Sequence, residues 1–438
     1  MRLLPVLEGL HSAESFNQEF LEALFRRTRE IEARPLEFSS ALHGRVVANV
    51  FEEPSTRTRL SFESAVLRLG GSVLTVSDPK SSSGSKGESL ADAARIISGY
   101  ADCLIWRHPR DGASRVVAQN SRVPVINAGD GRLGHPTQTL LDLCALERRW
   151  DSFTGRTVGL MGDLKHGRTA RSLAWGLALL GVRVVLLPAP GLDWESSFER
   201  RILDNFGMRL RWMRHPLFRT WTGSPEARVL EPRGMVQGLL FQDDVPTLDR
   251  LDALYLTRLQ RERGAAVSGD CYPGLTVEIL RDSLLDTCLL MHPLPRREEL
   301  PKELDGDERA LYFEQARLGP LARMAILLAV LREDAWPLPP ISPLPAGQPE
   351  SALGACANPN CVTQAEALAT PWRVVGATRR QFLCALCDTP LAVDYVGCRS
   401  TLRVHPIHSP AALRISPENL HPFREREEAQ AAGYQWGG

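Results

Sequence analysis

Pro54-Ser55-Thr56-Arg57-Thr58-Arg59 sets three hydroxyl residues and two arginines at what reads as the start of a helix. From Arg57 to Leu69 the apolar residues Phe62, Ala65, Val66 and Leu69 recur at helical spacing, and Gly70-Gly71 stops the run. The first turn of a helix leaves backbone N–H groups without partners, and the helix dipole adds partial positive charge there. Hydroxyl donors and a guanidinium fork at the same place suit a phosphate. An ordinary cap needs one such hydroxyl, so this cluster exceeds what a helix start requires.

Working outward, strand-like and helix-like segments alternate. A strand is expected at Ser72–Val76, then a Ser/Gly-rich loop at Ser81–Gly87, a helix through Leu90, Ala94 and Ile97, and strands at Cys103–Trp106 and Val123–Asn127. Thr137–Arg149 reads as a long helix joining two lobes. A second run has a strand at Thr157–Met161, a helix at Thr169–Leu180 ended by Gly181, and a strand at Val182–Leu187. Strand–helix–strand order implies parallel pairing. Further strands are expected at Ala253–Thr257 and Thr287–Met291, and an apolar helix at Leu321–Leu331. The fold class is therefore α/β: two lobes with parallel sheets flanked by helices, plus a small β-rich C-terminal unit.

The 438 residues carry 52 basic and 52 acidic side chains, so no net field draws the chain to nucleic acid or an anionic membrane. At 43% hydrophobic residues the chain can build sizeable cores. Only Lys80, Lys86, Lys165 and Lys302 are lysines; the other basic residues are arginines. Met1-Arg2-Leu3-Leu4-Pro5 leads into no apolar core or cleavage site, and the apolar stretch Leu173–Leu187 is broken by Gly176, Gly181 and Arg183. Neither a signal peptide nor a membrane span is expected, and the cytoplasm is the expected compartment.

Five further blocks surround the Ser-Thr-Arg-Thr-Arg stretch. Arg107-His108-Pro109 ends a strand, and His135-Pro136-Thr137-Gln138 begins the long helix. Gly162 to Thr169, Thr257 to Arg263, and His292-Pro293-Leu294-Pro295-Arg296 each follow a strand. Gly162–Thr169 also spells a near P-loop, with Arg168 in place of the usual lysine, and no apolar strand ending in a magnesium-binding aspartate accompanies it. In this order the six blocks resemble the aspartate and ornithine carbamoyltransferases, over about residues 1–335. The Ser-Met-Gly and His-Cys-Leu-Pro motifs of the ornithine enzymes do not occur; an acceptor with two carboxylates suits two separate arginines, and by the resemblance Arg168 and Arg258 occupy those family positions. The resemblance is to the aspartate enzyme.

That resemblance implies a transferase of pyrimidine biosynthesis that passes the carbamoyl group of carbamoyl phosphate to the amine of L-aspartate, with no catalytic cofactor. It implies a carbamoyl-phosphate lobe at residues 1–150, to which a closing helix at 319–335 returns, and an aspartate lobe at 151–318. Ser55, Thr56, Arg57, Thr58 and Arg107 would hold the phosphate. His135 and Gln138 would address the carbamoyl group, and the carbonyls of Leu294 and Pro295 its amine. Arg168, Arg258 and Gln260 would hold aspartate. Ser82 and Lys86 fall where the family's mobile loop enters a neighbouring subunit's site, so a homotrimer with shared sites is implied. Arg57, Thr58, Lys86, Arg107 and His135 are the expected catalytic set. The alternative is a catalytically silent homologue kept as an assembly scaffold.

Past residue 335 the composition changes. Pro337–Pro349 holds six prolines in thirteen residues, a stiff linker within 336–352. The unit 353–438 carries Cys356 and Cys361, then Cys384 and Cys387: two close pairs that suit a closed, structural zinc site. Cys356-Ala357-Asn358-Pro359-Asn360-Cys361 resembles the zinc domain of the aspartate carbamoyltransferase regulatory chain. That likeness implies docking of other subunits through this unit. The nucleotide effector domain of that regulatory chain has no counterpart before it. Cys398, His405 and His408 read as bystanders, and Cys103, Cys144, Cys271 and Cys288 as buried small residues. Residues 190–249, with Trp194, Trp212 and Trp221, read either as an insertion or as a divergent surface.

Overall fold

The structure is a computed structural model that describes residues 9–77, 87–214, 226–235, 239–242, 245–264, 272–331, 356–366, 371–375 and 380–437. After helix α1 (Gln18–Ala33) come β1 (Val46–Phe51), α2 (Thr56–Arg68), β2 (Ser72–Val76), α3 (Leu90–Ile97), β3 (Cys103–His108), α4 (Ala113–Asn120), β4 (Val125–Asp130) and α5 (Pro136–Glu147). The four strands form a parallel sheet in the order β2-β1-β3-β4. Parallel strands need crossovers that cover both faces, so central strands are mostly apolar; the buried Asn49 in the middle of β1 is an exception. On β1, Val47 and Phe51 enter the core shared with α1, α2 and α5, while Ala48 and Val50 enter the core under α3 and α4.

The second set is β5 (Thr157–Gly162), α6 (Arg168–Leu179), β6 (Arg183–Pro188), α7 (Ser196–Phe206), β7 (Met208–Arg214), β8 (Glu226–Pro232), β9 (Leu239–Gln242), β10 (Val245–Leu248), β11 (Ala253–Leu256) and β12 (Leu289–Met291). Its sheet runs β12-β11-β5-β6-β8-β7. The first four strands are parallel, but β8 pairs antiparallel with both β6 and β7. Within the described part of 190–249, β7 and β8 form the sheet's antiparallel edge, and β9 and β10 pair as a separate two-stranded sheet. Trp194 is buried and Trp212 exposed; Trp221 lies outside the described residues.

Helix α8 (Tyr312–Leu331) contains Pro320 in its interior, so it starts about two turns before the expected Leu321. An interior proline costs about 3 kcal/mol. The burial of Tyr312, Gln315 and Leu318 ahead of Pro320 and of Ala322 to Val330 after it outweighs that cost. The helix packs on α1, α2 and α5.

The C-terminal region is β-rich. A hairpin of β13 (Trp372–Val375) and β14 (Gln381–Cys384) is followed by β15 (Tyr395–Cys398), β16 (Arg403–Pro406), α9 (Pro410–Leu413), β17 (Leu420–Phe423), α10 (Arg426–Ala431) and β18 (Gln435–Trp436). The last four strands make a sheet in the order β17-β15-β16-β18, so the tail after Cys398, which matched no motif, is a folded unit. The cysteine region packs on α3 and α4 of the same chain. Cys356, Val362 and Leu386 share one buried cluster with Ala94, Val116 and Val117. Asp111 N–H donates to the Asn360 carbonyl at 3.0 Å, and Val362 N–H to the Asp111 carbonyl at 2.9 Å. Asp388 lies against Arg115 at 3.2 Å, Arg373 at 2.8 Å and Arg201 of α7 at 3.5 Å. Among the described residues no helix is long and apolar enough to cross a membrane.

Candidate active site

The six sequence blocks all lie beyond the carboxyl ends of parallel strands: β1, β3, β4, β5, β11 and β12. This is where open α/β sheets bind ligands. Ser55 is the N-cap of α2, yet its side chain makes no capping hydrogen bond, so its hydroxyl is left for another partner. The Thr58 hydroxyl, buried, sits 3.5 Å from His135 Nε2. Arg107, at the end of β3, donates to the Ala128 carbonyl at 3.2 Å.

His135 is the N-cap residue of α5, with Pro136 at the first helical position. Its other nitrogen, Nδ1, is 3.3 Å from the Thr137 hydroxyl. With that hydroxyl donating to Nδ1, the ring proton sits on Nε2, facing the same space as Thr58. Burial, and then the charges of Arg168 and Arg107, hold the His135 imidazole well below the usual histidine range. It is a neutral donor at pH 7.

Sequence reading missed the group at the centre of the site. Glu53 binds Arg107 at 3.2 Å, Arg168 at 2.9 Å and Arg263 at 2.9 Å. Burial alone would raise its carboxyl, but Arg168, Arg107 and Arg263 together hold it down at about 2. Burial and the like charges of Arg107 and Arg263 work against the Arg168 cation, and Glu53 offsets them. The pair is ionised, because a guanidinium keeps its proton at neutral pH. Arg168 also donates to the Gly131 carbonyl at 3.1 Å, which ties the start of α6 to the loop after β4. Arg168 is thus held by Glu53 and a carbonyl, unlike a P-loop lysine.

Arg258 follows β11 and pairs with Glu262, one contact being 3.0 Å. It lies near enough to Arg57 for their charges to interact. The Gln260 N–H donates to Asp163 at 3.1 Å, and Asp163 also binds His166. After β12, the Leu294 N–H donates to His292 Nδ1 at 2.8 Å, and His292 Nε2 meets Glu299 at 3.0 Å. Leu294 takes a φ of 52° and is joined to Pro295 by a cis bond. Gln138 donates from Nε2 to Asp142 Oδ1 at 2.8 Å. Ser55, Thr56, Arg57, Thr58, Arg107, His135 and Gln138 thus lie at the strand ends of the first sheet, and Arg168, Arg258, Gln260, Leu294 and Pro295 at those of the second, with Glu53 joining Arg107 to Arg168 and Arg263 across them. Ser82 and Lys86 lie outside the described residues. Asp163, Glu299 and Arg263 were given no role in the sequence reading either; Asp163 and Arg263 had a signal, as members of the Gly162–Thr169 and Thr257–Arg263 blocks, and Glu299 had none.

The four cysteines form a second cluster. Their sulfurs all lie within 4.8 Å of one another and are buried. Cys356 and Cys387 sulfurs are 3.4 Å apart, Cys361 and Cys384 sulfurs 3.9 Å. Zinc bound tetrahedrally at about 2.3 Å by four thiolates requires sulfurs about 3.8 Å apart. The spacings suit a shared ion and are far too long for disulfides, and all four are free thiols. Cys103, Cys144 and Cys288 are buried, as expected, while Cys271 lies outside the described residues.

The class these strand-end loops define is that of the carbamoyltransferases: residues 9–148 match the family described as aspartate/ornithine carbamoyltransferase, carbamoyl-P binding domain. The aspartate carbamoyltransferase catalytic subunit of Clostridium acetobutylicum is 39% identical over 322 residues, covering 72% of this chain and 95% of the relative. That of Archaeoglobus fulgidus is 37% identical, covering 74% and 100%. Among solved structures, aspartate transcarbamoylase from Trypanosoma cruzi in complex with N-(phosphonacetyl)-L-aspartic acid is similar, with a TM-score of 0.61 and 32% identity, covering 76% of this chain and 99% of that one. The M. jannaschii catalytic subunit matches at a TM-score of 0.61 and 35% identity, covering 75% and 99%. This chain belongs to the family of aspartate carbamoyltransferase catalytic subunits.

Proposed function

We propose that the site transfers the carbamoyl group of carbamoyl phosphate to L-aspartate, giving N-carbamoyl-L-aspartate and phosphate in pyrimidine biosynthesis. The observation that carries this is the pairing of an N-terminal helix turn bearing free hydroxyls and Arg57 with a neutral His135 donor and two further arginines, Arg168 and Arg258. In this reading Ser55, Thr56, Arg57, Thr58 and Arg107 hold the phosphate. His135 donates from Nε2 to the carbamoyl oxygen as it gains negative charge. Arg168, Arg258 and Gln260 hold the aspartate carboxylates with the amine facing the carbonyl carbon. The amine nitrogen bonds to that carbon, the carbon–oxygen bond to phosphate breaks, and the amine proton leaves with the phosphate. No side-chain nucleophile is needed; alignment of two anions does most of the work.

The domain map proposed is residues 1–150 with the closing helix, whose start moves from the expected 319 to Tyr312, then 151–311, the linker 336–352 and the unit 353–438. A homotrimer is the proposed assembly. The apolar side chains Leu60, Leu67, Leu74 and Ile96 are exposed on α2, β2 and α3, and Tyr100 in the turn after α3. The segment carrying Ser82 and Lys86 leaves β2, the edge strand of the same sheet. A second copy covering that edge would receive Lys86 into its site. Zinc is the proposed ion of the cysteine cluster, structural in role because four thiolates leave no open position. The cytoplasm is the proposed compartment, since reduced thiols suit it.

The test is product formation by the purified chain from carbamoyl phosphate with aspartate or ornithine in parallel. Carbamoyl aspartate formed by the wild type and lost in Arg57→Ala is the expected result. Arg168→Ala or Arg258→Ala should cost about 2–5 kcal/mol in kcat/KM for aspartate, since each strands a carboxylate. No product from either acceptor, with a folded chain, would transfer the reading to the scaffold alternative.

A further inference from the structure

Beneath the site runs a buried chain of amides that none of the expected catalytic residues includes. Asp142 lies one turn after Gln138 on α5 and is fully buried. Its Oδ1 accepts two side-chain N–H bonds, from Gln138 Nε2 at 2.8 Å and from Gln315 Nε2 at 2.5 Å. Gln315 stands on α8 and is also buried. Its amide oxygen in turn accepts the backbone N–H of His292 at 3.2 Å. The relay thus joins three elements: α5, α8 and the loop after β12.

Hydrogen-bond chemistry fixes how each amide is turned. A carboxylate oxygen only accepts, so both glutamines must point their NH2 groups at Asp142. Gln315 then has its carbonyl oxygen facing the His292 N–H, as found. Gln138, half-buried at the site, has its carbonyl oxygen left on the side away from Asp142. We propose that Asp142 and Gln315 are positioning residues that set the site's selectivity for a carbamoyl group. They do so by turning the Gln138 carbonyl oxygen, and anchoring the loop with the Leu294 and Pro295 carbonyls, toward one substrate NH2. This rests on the transfer reaction proposed above and adds to it the reason an NH2-bearing acyl phosphate is chosen over a methyl-bearing one.

Acetyl phosphate is the natural probe. It matches carbamoyl phosphate in charge and shape but has a methyl where the amine stands. Carbonyl oxygens aimed at a methyl lose their partners, so a site built of acceptors discriminates against it. Burial pushes the Asp142 carboxyl up to about 7. Oδ1 accepts whether or not Oδ2 carries a proton, so the relay does not depend on the charge.

The experiment compares binding of carbamoyl phosphate and acetyl phosphate to the full chain, together with KM for aspartate. The chains are wild type, Asp142→Leu, Asp142→Asn and Gln315→Met. Leucine removes the acceptor, whereas asparagine keeps an oxygen in its place. Asp142→Leu is expected to lower the preference for carbamoyl over acetyl phosphate by about tenfold, the equivalent of one hydrogen bond. Asp142→Asn should restore the preference to within about twofold. Acetyl phosphate affinity and KM for aspartate should stay near wild type in all three. If Asp142→Leu does not fold, Gln315→Met, which frees the loop, carries the same expectation. Equal loss of affinity for both acyl phosphates and aspartate would mean a merely structural role and would overturn the proposal. An unchanged preference in Asp142→Leu and Gln315→Met would overturn it as well. A wild type that binds carbamoyl phosphate selectively but makes no carbamoyl aspartate would sink the transfer reading and leave the relay standing. A wild type that prefers neither acyl phosphate would sink the relay.

Discussion

Glu53 pairs with Arg107, Arg168 and Arg263 at once, and Arg168 and Arg263 belong to the run of elements that starts with β5. Replacing it with glutamine leaves three guanidinium groups repelling across the cleft. Glu53→Gln is expected to raise KM for aspartate about tenfold and to lower stability by about 1–3 kcal/mol, measured by steady-state kinetics and denaturant unfolding. The pH dependence has a definite sign. The carboxyl is held at about 2 in the folded chain against 4.5 for an unperturbed glutamate. Its stabilisation is therefore complete above the unfolded value and fades as pH falls from about 4.5 toward 2. Unfolding curves of wild type and Glu53→Gln should converge across that window; parallel curves would contradict it. His135 gives the second residue-level test. Because burial and Arg168 keep it neutral, kcat should show no step with the ordinary histidine value between pH 6 and 8. A step near 6.5 that vanishes in His135→Asn would place a proton on the imidazole that this geometry forbids. The sequence carried His135 through its neighbours, Pro136 to Gln138. It carried no sign of Glu53, because an acid beside a phosphate-binding turn looks like a mismatch until Arg168 and Arg263 arrive from elsewhere in the chain.

Helix α4 shows what an element contributes to docking. Its N-cap, Gly112, has a φ of 89°, and a Cβ there would sit 2.8 Å from the Leu386 backbone of the cysteine region. Asp130 receives the Gly112 N–H at 3.0 Å and the Ser114 hydroxyl at 2.5 Å, so the turn has no room to shift. Gly112→Ala therefore combines left-handed strain with a backbone clash. It should destabilise the contact by about 1–3 kcal/mol and speed amide exchange in 356–366 and 380–391 while the strands of the first sheet stay protected. Elements with one clear period were legible from residues alone: α2, α6 and the apolar strands β3, β5 and β6 lie within a residue or two of expectation. Those decided by tertiary burial were not. Pro320 hid the first two turns of α8, since its local cost is visible in sequence and the compensating burial of Tyr312 and Leu318 is not. Strand β7, Met208–Arg214, alternates arginines with apolar residues, and only pairing with β8 reveals it as a sheet edge.

For the whole molecule, the cysteine region packs on α3 and α4 and on the turn after β3, while the catalytic groups line the carboxyl ends of the strands. Metal removal should then disturb the first more than the second. A structural zinc contributes about 10–16 kcal/mol to folding of such a unit. Chelation is expected to release Asp388 from Arg115 and Arg201 and to change the mass of the assembly, with the rate per site nearly kept. Light scattering and initial rates on one sample check this; equal loss of rate with an unchanged mass would contradict it. The pairing of Asp111 with Asn360 and Val362 has one more outcome. Partners joined by a linker meet at an effective concentration near millimolar, set by the chain and not by the cell. A separate subunit of micromolar affinity would fall away on dilution, and its supply would have to be matched to that of its host. Here each catalytic unit carries its own occupant for that surface, in fixed one-to-one proportion, and thinning the solution does not strip it.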